Sequence, residues 1–519
     1  MCKLTRCLRP HAKWKGISKI MTELEELQLN RRRLQRLFNK IKAAGNDRLK
    51  IEAAMYVAEF ACSTGHGIWS SPVLEQVFVE ASQRIQVSLR HSHTPNTCLF
   101  VSTMLFPYGG LERVLERWIE TDANWRYSLV LTKQSKAIVP ERIAAAISSS
   151  GGTVFDLTAH SVLERAAALR ELASGYECVV LMAYEEDPLP LLAFGTTEFI
   201  RPVGLYNQCD HHFWLNVSIA DVVGDLRDWG QGISLNNRGV RKSMIVPVPS
   251  EVQPVVKKSR ESSRKKLGLP IDRRIVLSVA RHMKFRSVAG ESFLDLVVPL
   301  LEADDSVTLL IIGPTVETVP EFSLACQRFG ERFKLLGYVP HEMLYDYYFA
   351  ADLVVDSYPT DGIAACEDAI TCGCPLVSRS STIDFVVNSK AYCKDNDYLV
   401  WYAQRLLSSE EERVKNVTSV TNEINLFSSP AVFMEKRNAF MECLRRNVHS
   451  VAGFQSTPTN FIKADYLMLS LGHGFFRRTN LTAWALDIFP LSVGCLCARV
   501  FDAIRNLRKR INKKLRRQR

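Results

Sequence analysis

Apolar residues fall at helical spacing from Ile17 to about Ile85. Leu24, Leu27, Leu34, Leu37, Phe38 and Ile41 mark one stripe, Ile51–Cys62 a second and, past Gly65 and Gly67, Pro72–Ile85 a third. No 34-residue self-similarity runs through this stretch, so it reads as a small helical unit and not as a repeat array. From Thr97 the rhythm changes. Short, nearly continuous apolar runs at Cys98–Ser102, Tyr127–Leu131, Thr153–Phe155, Cys178–Met182 and Val203–Tyr206 alternate with helical patterns such as Leu111–Glu120 and Ser161–Ala173. Strands that are apolar on both faces and separated by helices predict parallel βαβ units. A second series follows at Ile275–Val279, Val307–Ile312, Phe333–Leu336, Leu353–Asp356 and Leu376–Ser378. The polar, basic, proline-interrupted stretch 248–266 between the two series reads as a linker.

The expected organisation is therefore a helical region at 1–95, a doubly wound α/β domain at 96–247, the linker at 248–266, a second doubly wound domain at 267–450 and a C-terminal segment at 451–519. In such sheets ligands bind beyond the carboxyl ends of the strands, and a cleft is the default site.

With 519 residues, 47% of them hydrophobic and 23% charged, the chain can bury several cores, which excludes a disordered or disulfide-stapled class. The formal charge of +11 is unevenly placed. Residues 1–40 hold eleven Lys/Arg against Glu23, Glu25 and Glu26, and residues 499–519 hold ten against Asp502, which leaves −6 for 41–498. The basic ends suit an anionic surface, and the slightly acidic middle argues against nucleic acid as a partner. Fourteen cysteines without paired CxxC spacing read as reduced thiols of a cytoplasmic protein. The basic N-terminus has no apolar run of a secretory signal behind it, and the glycosylation sequons at Asn216, Asn416 and Asn480 are chance matches in that compartment. Leu481–Ala498 is apolar apart from Asp487 and contains Pro490; beyond it Phe501, Ile504, Leu507, Ile511 and Leu515 recur at helical spacing among the basic residues. Residues 481–519 thus predict a basic amphipathic helix for an anionic membrane surface, with a solvated tail as the alternative and a membrane span less favoured.

Three motifs carry candidate chemistry. Gly109-Gly110 stands before a helix and after a strand, where backbone N–H groups and the helix dipole favour an anion, although a plain tight turn gives the same pattern. The strand ending at Val279 delivers Arg281, Lys284 and Arg286, cations suited to phosphate. In Asp356–Val377 a Pro/Gly loop leads into a helix opening at Gly362, Ile363 and Ala364, with Asp361 before it and Glu367 one turn in, placed for a diphosphate and for ribose hydroxyls; a capped, buried helix is the structural alternative. No metal is expected.

The order Gly109-Gly110-x-Glu-Arg-Val, Ile245-Val-Pro-Val-Pro, Leu267-Gly-Leu-Pro, Ser278-Val-Ala-Arg and Gly362…Glu367…Gly373-x-Pro resembles nucleotide-sugar glycosyltransferases of the GT-B fold, family 4 above all, over roughly residues 97–400. Asp356–Pro375 also resembles the donor segment of O-linked N-acetylglucosamine transferases, and Leu205–Leu215 resembles an Asn-His-x-Asp-His-x-Phe-Trp pattern of bacterial members. The resemblance implies α/β architecture with two Rossmann-like domains. It implies no cofactor, a UDP- or GDP-linked sugar as the donor held by the second domain, and a glycan, lipid-linked saccharide or protein acceptor held by the first. Val339, in the Gly337–Pro340 loop, would lie by the base, and Asp210 or His211 would take the acceptor proton. The sequence departs from the pattern at Pro359, where family 4 has a first Glu, and at Gln208, in place of the first His. A protein O- or N-glycosyltransferase and a non-catalytic scaffold of the same fold are the rival readings, and the protein is expected in the cytoplasm, peripheral on the inner face of the cell membrane.

Overall fold

A computed structural model describes residues 11–107, 109–157, 161–250, 258–379, 391–462, 464–466, 468 and 477–517. Tyr108 of the glycine loop, 251–257 of the expected linker, and 469–476 with 518–519 of the C-terminal segment lie outside the described residues. Two compact units emerge, one of Glu26–Pro249 with Phe433–Arg519, the other of Met1–Glu25 with Ser250–Val432.

The first unit begins within helix α1 (His11–Ala43), from Glu26 on, and continues with α2 (Asp47–Ser63) and α3 (Pro72–Ser82). Local chemistry sets their starts: Asn46 accepts the Leu49 N–H at the head of α2, and Ser71 accepts that of Leu74 ahead of Pro72 in the first turn of α3. Seven parallel strands follow, β1 (Thr94–Ser102), β2 (Arg126–Leu131), β3 (Val154–Asp156), β4 (Tyr176–Met182), β5 (Val203–Asn207), β6 (Val222–Asp225) and β7 (Ser243–Ile245), in spatial order 3-2-1-4-5-6-7. α4 (Gly110–Glu120), α5 (Glu141–Ser149), α6 (Val162–Ser174), α7 (Leu189–Phe194) and α8 (Asp228–Ile233) connect them.

Alternation along the strands divides the core in two. Leu99, Val101, Val179 and Leu181 pack with Leu34, Leu37, Ile41, Phe60 and Phe78 of the N-terminal helices, while Cys98, Phe100, Val180 and Met182 pack on the opposite face with Trp118 of α4. Each such fully buried aliphatic contributes about 1.5–3 kcal/mol. The helices within 1–95 are therefore one covering layer of the first sheet, because their apolar stripes share a core with its strands.

The second unit holds α9 (Arg260–Leu267), β8 (Arg274–Val279), α10 (Leu294–Ala303), β9 (Val307–Ile312), α11 (Ser323–Phe329), β10 (Phe333–Gly337), α12 (His341–Ala350), β11 (Leu353–Val355), α13 (Ile363–Thr371), β12 (Leu376–Arg379), β13 (Tyr392–Cys393), α14 (Asn396–Ser408) and α15 (Glu410–Ser428). Its six parallel strands lie in the order 10-9-8-11-12-13. The stretch read as a linker ends in α9, whose Arg264 is buried: it donates to the Asp352 carboxylate at 2.5 Å and to the carbonyls of Ala350, Ile271 and Arg273. Residues 260–266 thus belong to the second sheet's cover.

The chain then returns to the first unit through α16 (Pro430–Arg445). Phe433, Phe440, Met441 and Leu444 pack beneath the first sheet, where Gly204 of β5 leaves room: a Cβ there would lie 2.8 Å from Phe440 Cζ. Buried Arg437 donates to Trp118 O and Thr121 Oγ1. The expected domain 267–450 therefore gives up its last segment to the first sheet. At the two crossings, Ser250 donates through N and Oγ to Ser428 O, at 2.7 and 2.8 Å.

The C-terminal hairpin of α17 (Arg477–Ile488) and α18 (Leu491–Arg517) closes the first unit. Ala483, Leu486, Leu491 and Cys495 join the core of the N-terminal helices. Arg36 forks onto the Asp487 carboxylate at 2.8 and 2.6 Å, Arg499 onto that of Glu52, and Tyr56 Oη donates to Asp502 at 3.2 Å. Among the described residues no helix is long and apolar enough to cross a membrane.

Candidate functional site

In each sheet the strand order reverses at one place, between β8 and β11 in the second and between β1 and β4 in the first. Loops leaving such neighbours diverge to opposite faces and open a crevice at the carboxyl edge.

At the second reversal Lys284 stands half-buried in a short 3₁₀ turn after β8, and its Nζ donates to Asp361 O at 2.5 Å. Burial lowers the Lys284 pKa, against the pull of the Asp356 and Asp361 carboxylates. Asp356 Oδ1 accepts the N–H groups of Ser357 and Gly362 at 2.7 and 2.9 Å, and Oδ2 accepts Ser378 Oγ at 3.1 Å. Burial pushes this carboxyl up, and the Gly362 N–H and Lys284 oppose the shift. Gly362 precedes α13 where little space remains, since a Cβ would lie 3.0 Å from Asp356 Oδ1 and 3.2 Å from Ser357 Oγ. The first-turn N–H groups of α13 at Ile363–Ala365 have no carbonyl four residues back within the helix and point out of its end. Lys284, Asp361 and Gly362 are thus brought together at the head of α13, with Glu367 buried one turn further on.

Arg281 is exposed and Arg286 half-buried at the two ends of the same 3₁₀ turn. Gly313 fastens the neighbouring loop: its φ of +113° is open to glycine, and a Cβ would fall 1.8 Å from Ala280 O. Its N–H donates to Gly337 O at 2.8 Å. Beyond Gly337, Val339 packs against the core and Tyr338 is exposed.

The first reversal is furnished differently. Gly109 caps α4, but the Glu112 carboxylate lies over it: a Cβ on Gly109 would come 2.0 Å from Glu112 Oε2, and Glu112 Oε1 accepts the Phe106 N–H at 2.6 Å. The chain's own carboxylate thus occupies the place read as an anion seat at Gly109, whereas Gly110 faces open space.

Asp210 corrects the sequence reading. It is buried and gripped by the Arg227 fork, Nε to Oδ2 at 2.6 Å and Nη2 to Oδ1 at 2.8 Å, while its carbonyl accepts Arg238 Nη2 at 2.6 Å. Burial alone would raise its pKa, but the adjacent His211 and the Arg227 fork hold it well below the carboxylate range. Such a carboxylate is a poor proton acceptor and a good anchor. His211 remains partly exposed, its Nδ1 3.6 Å from Asp210 Oδ1 and its ring edge-to-face with His212 at 4.4 Å.

Sequence reasoning passed over the loop after β4, Glu185-Glu186-Asp187. Asp187 accepts Thr103 and Thr132 hydroxyls at 2.7 and 2.5 Å with Lys133 at 3.8 Å, and despite burial Lys133 keeps its carboxyl below the ordinary range. Burial, then the neighbouring Glu186, raises Glu185 to about 7. Glu185, Cys209 and His212 place their ligand atoms within 4.8 Å of one another, a donor set that suits a soft divalent ion. Burial, then the Glu185 carboxylate beside it, pushes the Cys209 thiol up. The run Tyr184–Asp187 directly after an apolar strand was the available signal.

No protein-family model matches the chain, and no curated protein matches it in sequence. Solved structures do. Anabaena HepE in complex with UDP is 14% identical, with 67% of this chain and 100% of that one covered at a TM-score of 0.53. The same protein with UDP-glucose gives 14%, 67%, 100% and 0.51. A Thermobaculum terrenum O-GlcNAc transferase mutant is 15% identical over 76% of this chain and 77% of that one, at a TM-score of 0.47. This chain has the GT-B fold. In GT-B terms the sheet of β1–β7 belongs to the N-terminal Rossmann-like domain and that of β8–β13 to the C-terminal one. The two crevices described above are the carboxyl edges of those two sheets.

Proposed function

We propose that the chain is a glycosyltransferase that moves a hexosyl or N-acetylhexosaminyl group from a UDP- or GDP-linked donor to a glycan, lipid-linked saccharide or protein acceptor, in surface polysaccharide or glycoconjugate synthesis. The observation that carries this reading is the half-buried Lys284 ammonium at the head of α13, at the reversal between β8 and β11. HepE, of the same fold, has been solved with UDP and with UDP-glucose. As the glycosidic bond breaks, negative charge gathers on the departing diphosphate, and fixed positive charge there lowers the barrier. Lys284, Arg281, Arg286 and the first-turn N–H groups of α13 supply it, and Glu367 accepts from sugar hydroxyls. With Asp210 committed to Arg227, the acceptor proton passes to His211 or to Glu185, whose raised pKa suits a base near neutrality. The reading places the protein in the cytoplasm, peripheral on the inner face of the cell membrane through 481–519.

The test is thermal shift with UDP, GDP, ADP and their sugar conjugates, since ligands of the native state raise Tm. A shift with one nucleotide that is lost in Glu367→Ala and Lys284→Met supports the reading. The second reading, a non-catalytic scaffold, rests on Pro359 where family 4 has its first Glu, and a flat response to every nucleotide favours it.

A further inference from the structure

The C-terminal hairpin turns one side inward and leaves the other bare. In α17, Ala483 and Leu486 are buried, while Leu481, Trp484 and Ile488 face out at spacings of three and four. In α18, Leu491, Cys495 and Ala498 are buried, while Val493, Leu496 and Val500 face out with the same period. With Phe489, which meets Trp484 edge-on, these seven large apolar side chains are 37–57% exposed within twenty residues. Gly494 lets the helices close on each other, a Cβ there falling 2.8 Å from Leu486 Cα, so the outward residues form one ridge.

Charge decides what the ridge faces. Asp487, the sole acid from Arg477 to Arg499, is turned inward onto Arg36 and Arg33, and Lys40 Nζ donates to the carbonyls of Leu486 and Phe489 at 3.0 and 3.2 Å. No acid follows Asp502, whereas Arg505 and eight further Lys/Arg crowd 508–519. The exposed ridge is thus apolar and leads into a strongly basic stretch of sequence, with Asp487 paired internally to Arg36 and Asp502 bonded by Tyr56. We propose that this ridge docks on an anionic lipid bilayer, Trp484 and Phe489 with the aliphatics entering the headgroup boundary and the basic end of α18 lying over the anionic headgroups. A two-helix ridge lying in the interface fits this better than a soluble partner, whose apolar groove would need no such excess of positive charge. The inference adds the docking face to the peripheral part of the reading above and is independent of the donor chemistry.

Flotation of the full chain with phosphatidylcholine vesicles, with and without phosphatidylglycerol, tests it. The wild type is expected to float only with the anionic vesicles and to be released by high salt. The double variant Ile488→Ser, Leu496→Ser should float at least tenfold less, with its Tm and its nucleotide-induced shift unchanged, since both side chains are exposed. Equal flotation of the two proteins, or none by the wild type, overturns the proposal. So does a wild-type dimer in sedimentation velocity that the double variant dissolves, which would assign the ridge to a second copy. A wild type that answers a nucleotide but floats with no vesicle sinks only the docking face; one that floats but answers no nucleotide sinks only the transferase reading.

Discussion

The carboxyl edges of the two sheets occupy equivalent topological positions and carry opposite chemistry. Beyond β8 and β11 lie Arg281, Lys284, Arg286 and the head of α13; beyond β1, β4 and β5 lie Glu112, Glu185, Glu186, Asp187 and Asp210. In the second sheet, the half-buried charge of Lys284 is held by a main-chain carbonyl. In the first, the strongest charges are spent on one another, Asp210 on Arg227 and Asp187 on Lys133, and what remains titratable is Glu185. One fold repeated twice thus yields an edge furnished with basic side chains and an edge furnished with acidic ones, because a few loop residues and not the strands set the charge.

The sharpest way to break this contrast is Asp210→Ala. It leaves Arg227 buried beside a vacated carboxylate and should cost about 3–5 kcal/mol in urea unfolding, with nucleotide affinity unchanged in whatever remains folded. A drop below about 1 kcal/mol would return Asp210 to the chemistry. Lys284→Met should do the reverse. Loss of a charge-assisted contact weakens UDP or GDP binding by about 2–3 kcal/mol, roughly hundredfold in Kd by calorimetry. Stability should stay within about 1 kcal/mol, since burial already disfavours the ammonium.

The pH profile sharpens the other edge. With its carboxyl raised to about 7 from an ordinary 4.5, folded Glu185 keeps a proton that the unfolded chain has released. Stability from this group is therefore full below about pH 4.5 and lost as pH rises through 7. Glu185→Gln should flatten that decline by about 1–2 kcal/mol, measured as Tm against pH beside the wild type; parallel curves would show Glu185 ionised throughout. The smallest effect separates the two glycines of α4. Gly109→Ala must displace Glu112 and should cost about 1–2 kcal/mol, whereas Gly110→Ala, facing open space in a helix, should gain about 0.5 kcal/mol by thermal melting.

Much of this was legible along the chain, because buried parallel strands and amphipathic helices write themselves locally. The runs at Cys98–Ser102, Val307–Ile312 and Leu376–Ser378, and the stripes of α1–α3, fall where the pattern puts them. β6 and β7 escaped because Val-Val-Gly-Asp and Ser-Met-Ile are short and interrupted, and their strand character comes from pairing with β5 and with each other. Arg264 looked solvated within Arg-Glu-Ser-Ser-Arg-Lys-Lys; only the fold brings Asp352 and three carbonyls around it. At the site, Lys284 and Gly362 could be named from strand-end chemistry, while their meeting through Asp361 O could not. Asp210 was read as a base because its partner lies 17 residues on, in a stretch with no motif of its own.

The crossing at Ser250 and Ser428 carries a consequence for biosynthesis. A ribosome adding about 5–20 residues per second finishes β7 and then makes the whole second unit, for roughly ten to forty seconds, before Phe433 and Phe440 emerge. During that interval the underside of the first sheet lacks its cover, and Gly204 opens onto a hole that only α16 fills. The second unit, its two ends pinned by one serine pair, can complete itself first. A nascent chain stalled before residue 433 should thus present a finished second unit and an unfinished, aggregation-prone first one, which makes the return of α16 and then of the C-terminal hairpin the last acts of folding even though their sheet was the first to be made.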